Sequence, residues 1–373
     1  MQADFHYYAT YCAAYIAGYS HKESMDICYS AQLVDLCSKT FLSGIKADTK
    51  AATTMLKLEM MDARTDPFGL MDITRIWSSF HFLPRDLYAP KGRRTKRYMN
   101  KYRLICGPNG PLAKMTVMLA KDKPLQCVGI AMHVIADTWA HSYFAGTPSH
   151  VINNTNDDFS EYIKSDNGEE RRKVRFRHSP SAADDTEKSI YTNSVYQGFE
   201  NSVMNLGHGR AGHLPDYSFI KYSYLPVWNN YKIVIKDNPS EYYLAFVQMV
   251  TALRYLRGLT ADFETEKYDL DIVEPYRERI DQILRVRRLI ASEDWKAFGE
   301  EMSGEVIDDF DENMYRDEYI NASPDKKDDT FLGRFIKGAI AHKGMVSSEI
   351  YRSGNILAGF VENGLGNDKT AKN

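Results

Sequence analysis

The chain has 373 residues, of which 43% are hydrophobic and 26% charged, so it is long enough to bury one or two globular cores. A formal net charge of −3 points neither to a general nucleic-acid binder nor to an acidic tail, and no apolar run reaches the ~18 residues of a membrane span. Five cysteines without a CxxC pair, and no leader peptide at the start, favour a cytoplasmic protein with reduced thiols.

The first part of the chain predicts two helices that carry polar side chains. Aromatic and alanine residues favour a helix over residues 4–18, and a second helix is predicted over residues 22–41. Asp4 and His6 lie near the start of the first helix, where nothing in the fold requires them. Asp35 lies in an apolar run of the second helix, so its carboxylate needs a compensating partner.

Two features follow in a less regular region. His81 stands between Phe80 and Phe82 just before Pro84, and a proline disfavours helix at the residue before it. We therefore expect His81 at the end of an element or in a loop. Residues 91–103 contain seven cationic side chains and no acidic one. This segment is a candidate patch for a polyanion, although a solvated loop is the interpretation that we favour.

A central apolar helix over residues 128–141 carries the strongest functional signal. His133, Asp137 and His141 interrupt it at intervals of four, which places them along one stripe of the helix. Burying two imidazoles and a carboxylate on an apolar face is costly, and a transition-metal ion compensates for that cost. Three separately satisfied core groups are the alternative, but three polar residues in register favour a metal site.

After residue 146 the composition becomes polar, and residues 147–195 predict a long insertion. The insertion contains a second basic cluster, which consists of Arg171, Arg172, Lys173, Arg175 and Arg177. Loops of this kind can select substrates when they lie over a site, but most are only surface.

A glycine-rich segment at residues 206–216 formally matches GxGxxG. No apolar strand precedes it and no alternation of strand and helix surrounds it, so we reject a dinucleotide-binding fingerprint. The glycines permit unusual backbone dihedrals, and His208, His213 and Asp216 are further candidate ligands. A plain surface loop is the alternative.

The rest of the chain predicts more helices and no sheet. Ser240 is expected to begin a helix that Gly258 ends, and we interpret the isolated His342 as structural. The last dozen residues are expected to be disordered. The predicted fold is all-α: a multi-helix bundle around a polynuclear metal site, with a metal-binding domain over residues 1–260 and a helical extension over residues 261–373.

Ten side chains before residue 220 are candidate metal ligands, and they suit two or three zinc ions, since one ion takes three or four protein ligands. They are Asp4, His6, Asp35, His81, His133, Asp137, His141, His208, His213 and Asp216. Among them Asp137 is the natural bridging carboxylate, because it lies between two histidines of the helical stripe.

The order of these residues resembles the zinc-dependent phospholipase C and single-strand nuclease superfamily, whose members are all-helical with a trinuclear zinc site. The most specific shared piece is Gly-x-Ala-x-His-x-x-x-Asp at residues 129–137. The other matches are single positions: His6, Asp35, the pair His81-Phe82, His208, His213 and Asp216. The opening Asp-Phe-His-Tyr-Tyr also looks like that of an uncharacterised bacterial family.

The chain departs from the superfamily at three places. His208 and His213 are five residues apart and Asp216 follows three residues later, where the superfamily has His-x-x-x-Glu. His141 follows Asp137 by four residues, where the superfamily has a spacing of six. Secreted members use the mature N-terminal residue as a ligand, and here we expect Asp4 to take that place.

The resemblance implies a metal-dependent hydrolase of phosphodiester bonds, with Asp35 as a ligand and general base. Two basic clusters favour a nucleotide or nucleic-acid substrate over a phospholipid, and no exposed apolar entrance stands out in the sequence. The alternative is a non-catalytic helical module, braced by metal, that binds a partner protein through its C-terminal helices.

Overall fold

Helices make up about 55% of the residues that the structure describes. The computed structural model describes residues 1–156, 158–165, 168–177, 183–193 and 207–357. A π-helical segment, Asp4–Ala9, precedes the first α-helix. The α-helices of the described residues are α1 (Thr10–Ile16), α2 (His21–Leu33), α3 (Lys39–Gly44), α4 (Lys57–Ala63), α5 (Pro67–Phe80), α6 (Lys96–Tyr102), α7 (Pro111–Ala120), α8 (Leu125–Ala140), α9 (His150–Asn153), α10 (His208–Ala211), α11 (Asn238–Arg257), α12 (Leu270–Val273), α13 (Arg277–Arg285), α14 (Ser292–Ser303), α15 (Arg316–Asn321) and α16 (Phe331–Arg352).

A small β-sheet lies among these helices and corrects the all-α prediction. The strands are β1 (Ser160–Ser165), β2 (Gly168–Lys173), β3 (Arg175–Arg177), β4 (Ile190–Thr192), β5 (Lys221–Tyr224) and β6 (Val234–Asp237). Four of them form an antiparallel sheet in the order β2-β1-β5-β6, with Ser160 opposite both Lys173 and Ser223. The other two, β3 and β4, form a parallel pair.

The strands are only three to six residues long, too short for an alternation of polar and apolar residues to identify them in sequence. Strand β2 reads Gly-Glu-Glu-Arg-Arg-Lys and is exposed at nearly every position, as a charged edge strand can be. In β5, the neighbouring Tyr222 and Tyr224 are both buried in a second hydrophobic cluster beside the sheet. The predicted polar insertion over residues 147–195 therefore contributes strands to a packed layer.

Helix α8 runs through the main hydrophobic core and is buried along most of its length. It packs against α2, α11 and α16. Gly129 permits the contact with α2, because a Cβ at this position would lie 2.4 Å from the carbonyl oxygen of Ile27. The glycine of the predicted motif thus has a packing function.

The helices after residue 260 pack on the same core as the first part of the chain. Trp295 of α14 is fully buried, and its ring centroid lies 6.0 Å from that of Phe5. One hydrophobic cluster includes residues from Met1 to Ile350. The boundary at residue 260 stays a prediction, and the predicted disorder of the last dozen residues lies outside the described ranges.

The second predicted helix is divided in the structure. Helix α2 ends at Leu33, and the hydroxyl of Ser38 begins α3 by accepting the backbone N–H of Phe41 at 3.1 Å. Asp35 therefore lies in a turn, and the prediction of a continuous helix over residues 22–41 is wrong. A serine that can cap a new helix explains the break.

Other predicted boundaries agree with the structure. Gly258 ends α11 with a φ of 86°, a left-handed conformation that glycine adopts without a steric penalty. His81 directly follows the last residue of α5, as its position before Pro84 predicted. Within the described ranges, no helix is both long enough and apolar enough to span a bilayer.

Candidate metal centre

Helix α8 supplies the middle of the site. His133 and Asp137 lie on its buried face, and His141 follows its last residue. The carboxylate of Asp137 is the point on which ring nitrogens converge. Its oxygens lie 3.2 Å from Nε2 of His6, 3.1 Å from Nδ1 of His81, 3.3 Å from Nε2 of His133 and 3.5 Å from Nδ1 of His141.

Backbone carbonyls orient two of these rings from the side away from Asp137. The Nδ1 atom of His133 lies 2.9 Å from the carbonyl oxygen of Ala31, and Nε2 of His81 lies 3.1 Å from that of Thr53. A carbonyl oxygen only accepts hydrogen bonds, so these two nitrogens carry the ring protons. The other nitrogen of each ring then presents a lone pair to the centre, which is the arrangement found in metal-bound histidines.

The inward-facing nitrogen and oxygen atoms lie close to one another. Nε2 of His133 lies 3.3 Å from Nδ1 of His81, and both lie within 3.3 Å of the Asp137 carboxylate. If both protons are on the carbonyl side, lone pairs face lone pairs in a buried site. A metal ion would replace this repulsion with coordination, so the donor set fits a metal.

His6 reaches the same point from the π-helical segment, a rare geometry that often occurs at functional sites. Its ring is fully buried and stacks on His133 with a centroid distance of 3.8 Å. Neither ring nitrogen of His6 has a hydrogen-bond partner among the described residues. Buried polar atoms normally have such a partner, which is a second indication that these atoms are ligands.

A second half of the site lies next to His141, whose Nδ1 is 2.7 Å from the carbonyl oxygen of His81. Its Nε2 lies 3.0 Å from an oxygen of Asp216, and Nε2 of His208 lies 3.2 Å from the same carboxylate. The amino group of Met1 is also here, 2.7 Å from Asp137 and 3.2 Å from Asp216. The sequence analysis expected Asp4 to take the place of an N-terminal ligand, whereas in the structure the Met1 amino group lies there and Asp4 does not.

Within the described residues, three groups of side chains have ligand atoms within 4.8 Å of one another and could each hold a metal ion. They are His6, His133 and Asp137; Asp35, His81 and His133; and His141, His208 and Asp216. His133 belongs to two groups, so those two positions are adjacent. Eight of the ten predicted ligands are thus brought together.

Asp4 and His213 lie outside these groups. The oxygens of Asp4 accept the backbone N–H groups of Phe5 at 2.8 Å and Ala291 at 2.9 Å, so this carboxylate ties the first segment to the start of α14. His213 is 57% exposed, and its Nδ1 lies 3.4 Å from Asp216. His213 therefore lies beside the candidate ligand Asp216, and its side chain is accessible to solvent.

Burial decides the protonation of the site. Desolvation lowers the pKa of His6 and of His141 to about 4, so both rings are neutral near pH 7 and have a free lone pair. Burial alone would raise the pKa of Asp137, but its interactions with His141 and with the Met1 amino group hold that pKa well below its usual value. The centre therefore combines neutral imidazoles with ionised carboxylates, which is what a divalent cation requires.

A cavity of about 290 Å³ adjoins the second half of the site. Phe82 and His208 line it, and Phe82 also stacks on His141 with a centroid distance of 4.9 Å. Met60, Trp77 and Lys57 form part of the remaining wall. The cavity is mainly apolar, and Lys57 is the one lysine or arginine among the described residues that line it. No sequence pattern indicated this cavity.

A family model described as "Family of unknown function (DUF6765)" matches residues 1–350. The chain matches no curated protein and no solved structure.

Proposed function

The chain belongs to the DUF6765 family, and we propose that it is a metal-dependent hydrolase of phosphodiester bonds, with zinc as the metal. The observation that carries this proposal is the convergence of four imidazole rings on the Asp137 carboxylate. Imidazole nitrogen and carboxylate oxygen in this mixture are typical zinc ligands. Three adjacent ligand groups favour two or three ions over one.

Each group has a distinct position in the proposed mechanism. His6, His133 and Asp137 would hold the most buried ion, and His133 also belongs to the next group, with Asp35 and His81. Bound zinc ions lower the pKa of a coordinated water and neutralise charge on a phosphodiester. The second half of the site, with His141, His208 and Asp216, lies beside the cavity and orients the substrate there.

Asp35 is the proposed general base. Its carboxylate lies 3.8 Å from Nδ1 of His81 and 3.9 Å from Nε2 of His133, and 29% of its side chain is exposed. A carboxylate at this boundary can accept a proton from an attacking water and release it to solvent. Its position in a turn, outside helix α2, gives it that access.

The access of Asp35 and His208 to solvent favours an enzyme over a module that is only braced by metal. Structural zinc sites are usually closed by four protein ligands, while catalytic sites keep a position for water. Asp35 is 29% exposed and His208 is 23% exposed, whereas His6, His133 and Asp137 are buried. One side of the centre is therefore open to a small ligand. Binding of a partner protein to the C-terminal helices stays a prediction.

A nucleotide or nucleic acid is the substrate that we favour, because aromatic rings and a cation beside the centre suit a base and a phosphate. A lipid phosphodiester is a second candidate, supported by one observation. Leu58 and Phe68 are 77% and 81% exposed, on the helices α4 and α5 that also line the cavity. The sequence analysis found no such apolar entrance.

Metal analysis and a substrate screen test the proposal together. We expect two or three zinc ions per chain by mass spectrometry of purified protein. We also expect hydrolysis of bis(p-nitrophenyl) phosphate that a chelator abolishes and zinc restores. Comparison of oligonucleotides with short-chain phosphatidylcholine then separates the two substrate classes. If the fully metallated protein hydrolyses none of these compounds, the alternative is correct, and the metal only stabilises the fold of a non-catalytic module.

A further inference from the structure

The basic segment of residues 91–103 differs from other charged parts of the surface. Among the described residues, none of its seven cations has an acidic side chain within ion-pair distance, whereas Arg172 and Lys173 of the second basic cluster do. Lys173 lies 2.7 Å from Asp158, and Arg172 lies 3.5 Å from Glu170. The positive potential of residues 91–103 is therefore not neutralised locally, and this segment attracts anions.

Aromatic rings extend from this segment towards the end of α8. Tyr98 and Tyr102 lie on α6 within the basic segment, and the guanidinium of Arg94 lies 4.8 Å from each ring centroid. The ring of Tyr102 is 6.4 Å from Trp228, which stacks on Tyr143 at 5.8 Å and 24°. These four rings, with the cations of residues 91–103, form what we call the aromatic-basic surface.

Tyr143 is held in an unusual backbone conformation at one end of this surface. Its φ is 76°, in the left-handed region that a bulky side chain rarely adopts. Its N–H donates to the carbonyl oxygen of Cys106 at 2.9 Å, and its own carbonyl accepts the indole N–H of Trp228 at 3.1 Å. Strain of this kind persists where surrounding contacts enforce it, and it is common at functional sites.

A cavity of about 560 Å³ opens among the same rings. Tyr102, Tyr143 and Trp228 line it together with Arg85, whose guanidinium is exposed and has no acidic partner among the described residues. Two acidic residues, Asp86 and Glu241, are also in the wall, but Glu241 is paired with the buried Lys236. The cavity thus offers aromatic faces and a free guanidinium to a planar ligand.

We propose that the aromatic-basic surface and this cavity bind single-stranded nucleic acid outside the metal centre. Unpaired cations attract the phosphates, and aromatic rings stack bases whose faces are free only in a single strand. Tyr143 lies two residues beyond the candidate ligand His141, so a strand on this surface reaches the neighbourhood of the centre. The inference rests on the proposed function for its substrate class and assigns the binding surface of that substrate.

Fluorescence anisotropy with a labelled phosphorothioate oligothymidylate of 20 nucleotides measures this binding. We expect a combined Arg93→Gln, Lys96→Gln and Arg97→Gln variant to bind about tenfold more weakly and with a flatter salt dependence, because all three side chains are exposed and unpaired. Trp228→Ala should also bind about tenfold more weakly, while Trp228→Phe keeps a stacking face and most of the affinity.

The matched control neutralises paired cations. Arg172→Gln with Lys173→Gln removes the same kind of charge from the second basic cluster, and its affinity should stay within twofold of the unmodified protein. Melting temperatures of all variants show whether each one is folded.

Two results would overturn the inference. One is that the triple variant binds the oligothymidylate with unchanged affinity and salt dependence. The other is that the unmodified protein binds duplex DNA or heparin equally tightly, because the surface would then attract any polyanion and would not select single strands. Hydrolysis of bis(p-nitrophenyl) phosphate is measured on the same proteins. If the unmodified protein hydrolyses this compound but binds single-stranded and duplex DNA equally tightly, only the inference is contradicted. If it prefers single-stranded DNA but does not hydrolyse the compound, only the proposed function is contradicted.

Discussion

The two sides of the candidate metal centre differ in how the chain builds them. The inner side consists of His133 and Asp137 on the buried helix α8, which packs against α2, α11 and α16. The outer side, with Asp35 and His208, comes from a turn and a short helix and is partly exposed. Rigid elements hold ligands in place, whereas loops give access to solvent and substrate. We therefore expect changes on the inner side to affect metal content and folding, and changes on the outer side to affect turnover.

Asp137→Asn should have the largest effect. The amide is a poor metal ligand, and it leaves several buried imidazoles around a neutral group. We expect loss of activity and of metal, together with about 4 kcal/mol or more of the stability that tightly bound metal contributes by mass action. Metal analysis and melting temperature measure both effects. A variant with full metal content and an unchanged melting temperature would show that Asp137 is not the centre of the site.

Asp35→Asn should reduce turnover by about 10²-fold or more, the usual contribution of a general base, while most of the metal remains bound. Its carboxylate is the most solvent-exposed member of the group with His81 and His133, so the fold tolerates the change. Steady-state kinetics with added zinc separates the two functions of this residue. Full rescue by excess zinc would mean that Asp35 is a ligand and not a base.

His208→Ala and His213→Ala form a matched pair on the outer side. His208 belongs to a candidate ligand group, whereas His213 is 57% exposed and outside all three groups. We expect a loss of turnover of about 10- to 100-fold or more for the first variant, since even contacts to a metal's ligands contribute that much, and a smaller loss for the second, whose Nδ1 lies 3.4 Å from Asp216. Equal losses in both variants would contradict the assignment of His208 to the site.

Gly129→Ala tests the inner side through packing alone. The new Cβ would lie 2.4 Å from the carbonyl oxygen of Ile27, so α2 and α8 must separate. We expect a loss of stability of about 1–3 kcal/mol, the usual cost of overpacking, with a smaller loss of activity. Thermal unfolding measures it.

Gly344→Ala is the matched control for that substitution. It lies in α16 with no atom within 4 Å of the added Cβ, and it should stabilise that helix slightly. If both glycine variants had the same melting temperature, the contact of α2 with α8 would be less tight than described.

The difference between the helical inner side and the irregular outer side also explains which site residues could be predicted from the sequence. The stripe of His133, Asp137 and His141 was visible because a helix repeats every 3.6 residues, and the structure places all three in candidate metal groups. The carbonyls of Ala31 and Thr53 could not be predicted, because main-chain atoms are common to all residues. The resemblance did indicate an N-terminal ligand, but its place was given to Asp4, whereas the Met1 amino group lies there.

Strands and loops were predicted less well than helices. Strand β2 has charged side chains at most positions, so it lacks the apolar alternation that identifies a half-buried strand. His213 and Asp216 share one short segment, and sequence spacing alone could not show that one points to solvent and the other into the site. Whether a loop residue reaches the site depends on the tertiary fold of the loop, and no local sequence pattern predicts that fold.

The π-helical segment Asp4–Ala9 makes the number of residues at the start of the chain important. A π-helix accommodates one more residue than the α-helix that would replace it. Deleting one residue of this segment after His6 would favour a regular α-helix and rotate the preceding side chains by about 100° around its axis. His6 would then lose its stacking contact with His133 although its identity was unchanged. Length, as well as composition, is therefore constrained in this part of the chain.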